Sequence, residues 1–568
     1  MVSRRNKYLL AILSGLLLGL AFPPTGLAGG LLAFVALVPL LFALEGGIRL
    51  REAFKLCWVA MFVLGLVSNY WVGGWKSMSE VDPFLMVGGV LLAVVHPFFL
   101  VIPWLLYDGV RRRFGRTAAI YSLPIFYAGF EYAHSFGDLS YPWLSLYNTQ
   151  TYNLAFDQFI EFTGPFALTM LIVLVNVEVF QIIRGMSGED TRPTRIRHSI
   201  VLVLLVLIPY LYGIHSMNEH EVSHDSMRVT VVQPNIDPWA KWYTDEQRTL
   251  DTNFDATLLS LKANHDSTDL IVWPETAITF YITSPAKSYE LGELYKFIDS
   301  IHHPILTGFP DRQDYIAGQD SIPSDATPIG VSKIYIRSWN AAMIVYEDSN
   351  GRMHRQAYHK QKLVPLGEHI PFVQYFPILG KWFQWGVGIG SWNYGEGYEP
   401  LILPLQSKNS TPQPPPLPEE RERDTLRISP MICYESVYPS FVRNFVDNGA
   451  NMLAVITNDG WYGRSSGPYQ HEQFAVLRAI EDRRWIVRSA NTGISTVIDD
   501  RGCFVKSLPL FTSGAITEQV PLIERKTLYV IYGDFVALPA AIYSAIVLLF
   551  GIGVRVRRSF LKKSVKTA

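Results

Sequence analysis

The chain of 568 residues carries 49 Lys plus Arg against 50 Asp plus Glu, a formal net charge of −1. This excludes a positive field for nucleic acid and an acidic interaction tail. Only 17% of residues are charged while 49% are hydrophobic, and the mean hydropathy is +0.16, which excludes disorder and departs from the roughly 25% charge of soluble domains. With Cys57, Cys433 and Cys503 as the only cysteines, a disulfide framework or a cysteine-rich zinc module is also excluded.

The missing charge lies in long apolar runs. Seven occur near Tyr8–Phe22, Leu31–Leu44, Phe54–Val72, Phe84–Tyr107, Thr117–Phe136, Gly164–Ile183 and Ser199–Ile214, and an eighth near Tyr529–Val554. About 20 apolar residues cross a bilayer core, so a polytopic α-helical membrane bundle of about eight transmembrane helices is expected. The first two runs are short and separated by Pro23-Pro24-Thr25-Gly26, which suits a tight hairpin. Reading Arg4, Arg5, Lys7 and the run after them as a cleaved signal peptide is disfavoured, because further apolar runs follow at once and no A-x-A site is evident.

Cations set the orientation, since Lys and Arg are retained on the cytoplasmic side. They cluster at Arg4, Arg5 and Lys7; at Arg49, Arg51 and Lys55; at Arg111, Arg112, Arg113 and Arg116; and at Arg184, Arg192, Arg195 and Arg197. The tail adds Arg555, Arg557, Arg558, Lys562, Lys563 and Lys566, whereas the alternate loops hold Lys76 alone. Both termini are therefore expected in the cytoplasm. The layout is a seven-helix region at 1–215, an extracytoplasmic domain at 216–527, and a final span with a basic tail at 528–568.

The outer segment reads as α/β. Met227–Gln233 is rich in β-branched residues, Glu246–Asn264 has helical periodicity, and Asp269–Trp273 returns as a buried strand. Ala341–Tyr346, Leu426–Cys433, Met452–Thr457 and Ile494–Asp499 are further strands, with a helix expected over Ser436–Asn448. The proline-rich stretch 407–425 reads as a surface excursion.

Reactive side chains stand at three strand ends, where α/β sheets hold their ligands. Trp273-Pro274-Glu275-Thr276 puts a carboxylate after a buried strand, and Lys360 with Glu368 follows Tyr358-His359. Ile432-Cys433-Tyr434-Glu435 places a thiol where a helix N-terminus would favour thiolate. Each has a plainer reading. Cys433 serves equally as a small buried hydrophobe or a partner of Cys503, and Glu275 as a capping carboxylate. Lys360 fits a solvated basic patch with His354, Arg355, His359 and Lys362. A Cys–His pair with His471 is a further option. Cys57 lies in a span and reads as packing, and a bundle-facing polar role is the default for His96 and Glu131. No H-E-x-x-H, paired C-x-x-C or Walker motif occurs, and Gly386–Gly390 lacks the context of a dinucleotide loop. No metal and no cofactor are expected.

Glu, Lys and Cys in this order, each after a strand, resemble the nitrilase superfamily of carbon–nitrogen hydrolases, whose catalytic triad falls on Glu275, Lys360 and Cys433. Gln233-Pro-Asn-Ile236 with Trp242, Trp273-Pro-Glu-Thr276, Leu363-Val-Pro-Leu-Gly-Glu368, Ile432-Cys-Tyr-Glu435, Thr457–Gly463, and Glu131 with Tyr141-Pro-Trp143 resemble one branch, the apolipoprotein N-acyltransferases. The proline-rich stretch and Gln361-Lys362 depart from that pattern without touching the triad. The resemblance implies an αββα sandwich and an acyl transfer from a membrane phospholipid, through a Cys433 thioester, to the α-amine of a diacylglyceryl-cysteine apolipoprotein. It also implies a bacterial inner-membrane location with the catalytic domain in the periplasm. Glu368, Tyr434 and Glu435 are implied to support the site. Trp242, Trp382 and Trp385 are candidate substrate contacts, the last two within an aromatic stretch, Phe372–Tyr398, that reads either as a lid dipping towards acyl chains or as core packing. The rivals are a membrane-anchored amidase acting on a soluble substrate, and a transporter or receptor with an inactive nitrilase-like domain.

Overall fold

The computed structural model describes residues 3–46, 48–73, 83–186, 191–219, 223, 225–242, 245–330, 332–373, 375–376, 392–405 and 425–567, with the backbone alone at 83–85 and 555–567. Trp382, Trp385, Lys76, most of the proline-rich stretch and the side chains of the basic tail lie outside what is described. Two compact units form, one from Met1–Gly73, Met86–Glu219 and Tyr532–Ala568, the other containing His220–Ile531.

The first unit is helical. Among the described residues, four helical stretches are long and apolar enough to cross a membrane: Met86–Phe114, Pro165–Arg184, Arg192–Asn218 and Ala537–Val554. Helices Arg4–Ala21, Leu50–Ser68 and Arg116–His134 have 18, 19 and 19 residues, about 27 Å or slightly more at 1.5 Å per residue. The first two pack closely because small residues line the seam. A Cβ on Gly15 would stand 2.3 Å from the Ala60 carbonyl oxygen.

The run Leu31–Leu44 is not one helix. It divides into Gly26–Leu32 and Val38–Leu44, and Asn176 on Pro165–Arg184 satisfies the backbone at the break. The Asn176 Oδ1 accepts from Leu37 N at 2.8 Å, and its Nδ2 donates to the Ala33 carbonyl at 2.7 Å. Buried backbone groups need such partners. Other polar residues of the bundle are paired in the same way, among them Glu131 and His96. Glu131 accepts from Leu146 N (2.8 Å) and Thr169 Oγ1 (2.6 Å), and the Nε2 atoms of His96 and His134 lie 3.1 Å apart.

The second unit contains two sheets. The first joins β1 (Ser226–Gln233), β2 (Leu270–Val272), β3 (Ile305–Ile316), β4 (Thr327–Pro328), β5 (Ile334–Glu347), β6 (Met353–His359) and β13 (Gly514–Pro521) in the order β13-β1-β2-β3-β5-β4, with β6 on β5. The second joins β7 (Leu401–Pro404), β8 (Thr425–Ile432), β9 (Met452–Thr457), β10 (Ile486–Ala490), β11 (Ser495–Ile498) and β12 (Phe504–Leu508) in the order β12-β11-β10-β9-β8-β7. The central pairs β1–β2, β2–β3, β8–β9 and β9–β10 are parallel, and β2 and β9 are wholly buried apolar runs but for Thr457, as parallel strands tend to be.

The sheets meet along β1 and β10. Ser489 Oγ donates to the Val232 carbonyl at 2.9 Å, and Gln233 accepts from Ser495 N at 3.0 Å while donating to the Pro509 and Thr512 carbonyls. Helices Glu246–Ala263 and Ser288–Ile301 cover the first sheet through Leu250, Leu261, Phe297 and Ile298, which pack with Ile271, Trp273 and Phe309. Helices Pro439–Asp447 and Ser466–Asp482 belong to the second-sheet side. The expected helix over Ser436–Asn448 is a five-residue 3-10 turn, Cys433–Val437, followed by Pro439–Asp447. Tyr438, extended at φ −98°, separates them, because a residue before proline is pushed out of the helical region.

Candidate active site

Each of the three reactive residues follows directly from a strand end. Glu275 comes three residues after Val272, the last residue of β2, Lys360 follows β6, and Cys433 follows β8. The two charged residues are buried, Glu275 at 7% and Lys360 at 1% exposure, so their charges must be balanced locally. They are balanced by one another. Lys360 Nζ lies 2.8 Å from Glu368 Oε1 and 3.4 Å from Glu275 Oε1. Asn340 Nδ2 donates to the same two oxygens, at 3.0 Å and 2.7 Å. One ammonium and one amide thus bridge two carboxylates. Burial opposes charge on Lys360, but Glu368 and Glu275 outweigh it and hold the ammonium well above its ordinary range. Glu368 is fixed in turn by Val364 N, which donates to its Oε2 at 2.9 Å.

The floor under Glu275 is backbone. Gly308 N donates to the Pro274 carbonyl at 3.2 Å, and a Cβ on Gly308 would stand 2.6 Å from Thr276 N and 2.7 Å from Glu275 Cα. Only a glycine allows β3 to come this close.

Cys433 adopts φ +52°, a left-handed conformation that costs a non-glycine residue roughly 1–2 kcal/mol. Its neighbours hold it there. Glu435, fully buried, accepts from Ile432 N (2.8 Å) on one oxygen, and from Gln361 N (2.6 Å), Lys362 N (3.2 Å) and Tyr358 Oη (2.7 Å) on the other. The Lys360 and Cys433 segments are thereby joined through one carboxylate, which touches the backbone of its neighbours and not the Lys360 ammonium. Burial pushes the Glu435 carboxyl up to about 7 even though these donors favour its ionised form.

The thiolate expected at a helix N-terminus is not favoured in the resting site. The turn after Cys433 is five residues long, too short for an effective dipole. Burial, then the Glu275 charge, push the thiol well above its usual range, and Lys360 only partly opposes them.

Behind Cys433 lies a buried network that the sequence reading touched at His471 and, through the Thr457–Gly463 motif, at Asp459. His471 Nε2 lies 3.0 Å from both the Cys433 carbonyl oxygen and Ser436 Oγ, and Nδ1 lies 2.8 Å from Asp459 Oδ1. His471 thus engages the Cys433 backbone. Arg488 Nη2 meets the other Asp459 oxygen at 2.6 Å. Burial opposes charge on Asp459, but Arg488 and His471 hold its carboxyl well below the usual range. Ligand atoms of Cys433, Asp459 and His471 lie within 4.8 Å of one another, yet the Arg488 guanidinium on Asp459 disfavours a second cation there.

Trp242 ends a short 3-10 turn, with the Lys241 ammonium 5.5 Å from its ring. Tyr434 is 4% exposed and meets Tyr438 edge to face at 5.2 Å. At the flanks of the aromatic stretch, Phe372, Tyr375 and Phe376 are exposed and Tyr394 packs on His369. Cys57 and Cys503 are free, as is Cys433. Sequence reasoning missed Asn340, Lys241 and Arg488, and reached Asp459 only as part of the Thr457–Gly463 motif. The signal for Asn340 was its place one residue before the apolar run Ala341–Tyr346; the others become neighbours only through the fold.

The carbon–nitrogen hydrolase family model matches residues 228–527, and that of the apolipoprotein N-acyltransferase N-terminal domain matches residues 14–177. The apolipoprotein N-acyltransferase of Chlorobaculum tepidum is 34% identical over 538 residues, 94% of each chain. That of Geobacter metallireducens is 31% identical over 555 residues, 96% of this chain and 95% of the relative. With both halves matched and near-complete mutual coverage, the chain belongs to the apolipoprotein N-acyltransferase family.

Proposed function

We propose that this enzyme transfers an acyl chain from a membrane phospholipid to the N-terminal α-amine of a diacylglyceryl-cysteine apolipoprotein, in two steps through a Cys433 thioester. The observation that carries the reading is the buried cluster of Glu275, Lys360 and Glu368, from which the Glu275 and Lys360 charges act on the Cys433 thiol, in a chain with helices apolar enough to cross a membrane.

Glu275 takes the Cys433 proton. This transfer exchanges a buried carboxylate for a buried thiolate with no change in net charge, so the low dielectric that raises the free thiol does not oppose it. The thiolate attacks the phospholipid ester carbonyl, and Lys360 with a backbone N–H beside Cys433 stabilises the oxyanion, roughly 3–4 kcal/mol per donor in comparable sites. The C–O bond then breaks, the proton on Glu275 passes to the leaving oxygen, and lysophospholipid departs. In the second step the lipoprotein amine attacks the thioester, Glu275 accepts its proton and returns it to sulfur, and the amide forms. A thioester suits this task because an amine attacks it more readily than an oxygen ester.

Glu368, Glu435 and Tyr434 brace the nucleophile and its cation, and Trp242 lines the acyl approach. We further propose eight spans, with both termini in the cytoplasm of a bacterial cell and residues 216–527 periplasmic at the inner membrane, supported by the cation clusters of alternate loops.

The test is intact mass of the purified protein mixed with phospholipid. An acyl adduct is expected on wild type, absent in Cys433→Ala, and discharged by a diacylated lipopeptide. Discharge by water alone at the same rate would favour the membrane-anchored amidase instead.

A further inference from the structure

We propose that Lys241 is a positioning residue for this reaction, acting through Thr276 to hold the Glu275 carboxylate where it accepts the Cys433 proton; the inference rests on the function proposed above. A lysine buried to 2% exposure is uncommon, and burying its charge costs several kcal/mol unless something nearby uses it. The Lys241 ammonium donates to Thr276 Oγ1 and lies 3.4 Å from the Thr276 carbonyl oxygen. Thr276 follows Glu275 directly and adopts φ +47°, an unfavourable conformation for a β-branched residue that persists only when its surroundings impose it. Gly308 closes the turn from beneath. Lys241 closes it from the side.

The segment that delivers Lys241 is itself fixed. Asp237 accepts Lys241 N at 3.1 Å through its carbonyl, and Trp239 N and Ala240 N at 2.9 Å through Oδ1. Asn491 clamps the residues before it, accepting from Asn235 N and Ile236 N at 3.0 Å and donating to the Ile236 carbonyl at 2.7 Å. The ammonium therefore reaches Thr276 from a rigid support, as precise placement requires. Burial pushes Lys241 down to about 8 while the Glu275 charge opposes that fall, so the cation is felt at the base. Glu275 also meets Lys360 and Asn340, and its charge acts on the Cys433 thiol. None of these constrains the Thr276 turn.

The experiment uses the full chain in mixed micelles of dioleoyl phosphatidylethanolamine, comparing wild type, Lys241→Met, Thr276→Val and the double variant. It reads the rate of Cys433 acylation at saturating phospholipid, KM for phospholipid, and, independently of any acyl donor, the rate of Cys433 alkylation by iodoacetamide. Lys241→Met is expected to slow acylation and alkylation by 10- to 100-fold with KM within threefold of wild type, and Thr276→Val by about tenfold. The double variant should be no slower than Lys241→Met alone, because one route is cut twice. Acylation by Lys241→Met within threefold of wild type would overturn the proposal. So would a loss confined to KM, or effects that multiply in the double variant. Should Lys241→Met fail to fold, Thr276→Val carries the test on the same criteria. If wild type is alkylated yet takes no acyl group, the transfer reading fails, and the alkylation rates alone then decide the role of Lys241.

Discussion

Glu435→Gln is the sharpest probe of how the site is held. At pH 8, above the value of about 7 to which burial pushes it, the carboxylate is ionised and accepts four hydrogen bonds, three on Oε1 and one on Oε2. An amide has one oxygen. Its least costly orientation keeps the three donors and turns the NH2 towards Ile432 N–H, leaving that buried donor unsatisfied at about 1–3 kcal/mol. The three retained bonds lose their charge assistance, each falling to about half its strength. Relief of carboxylate burial offsets part of this, and a net loss of about 2–4 kcal/mol is expected. For a unit of this size that corresponds to a fall in Tm of roughly 3–6 °C. Releasing Ile432 N also frees the left-handed Cys433 next to it, so acylation of Cys433 should fall by at least tenfold even well below the melting temperature. Differential scanning calorimetry and intact-mass kinetics on the same preparation give both readings. If Glu435→Gln melts within about 1 °C of wild type and acylates at the wild-type rate, the bracing role assigned to this carboxylate is wrong.

Three other perturbations report on the catalytic domain. Glu472 is buried, and burial raises its carboxyl to about 7 from an ordinary 4.5. The folded state then binds more protons between these values, and stability falls as pH rises from 4.5 to 7. Glu472→Gln should remove that slope, matching wild type near pH 4 and exceeding it by up to roughly 3 kcal/mol at pH 8; chemical denaturation across pH decides. Gly308→Ala forces a methyl to within 2.7 Å of the Glu275 backbone, and should displace the base and reduce acylation by at least 100-fold, with a crystal structure locating the shift. Asp459→Asn leaves Arg488, now 2.6 Å from Asp459, as a buried unpaired charge. A loss of about 3–5 kcal/mol is expected, read as a lower denaturation midpoint.

Much of the catalytic domain was legible because its signals are local. Met452–Thr457 is the same strand in sequence and structure; Met227–Gln233 differs from the observed strand by a residue at one end, and Asp269–Trp273 and Leu426–Cys433 by a residue at each end. A buried parallel strand needs a continuous apolar run whatever surrounds it. The helix after Cys433 begins three residues later than expected, because Pro439 pushes Tyr438 out of the helical region. Leu31–Leu44 was misread as continuous because its break depends on Asn176, some 140 positions away in sequence, to accept and donate at Leu37 and Ala33.

The sequence by itself determined the polarity of the chain, the strand ends bearing Glu275, Lys360 and Cys433, and the motifs that name the family. Only the tertiary structure decided which charges meet. Lys360 is balanced by Glu368 and Glu275 with Asn340 between them, Glu435 serves backbone donors on both sides of the site, and the Cys433 thiol rests protonated beneath its burial. Strand patterns follow from each residue's immediate neighbours, whereas the energy of a buried charge depends on every group within a few ångströms, and those groups come from β2, β5, β6 and β8 at once.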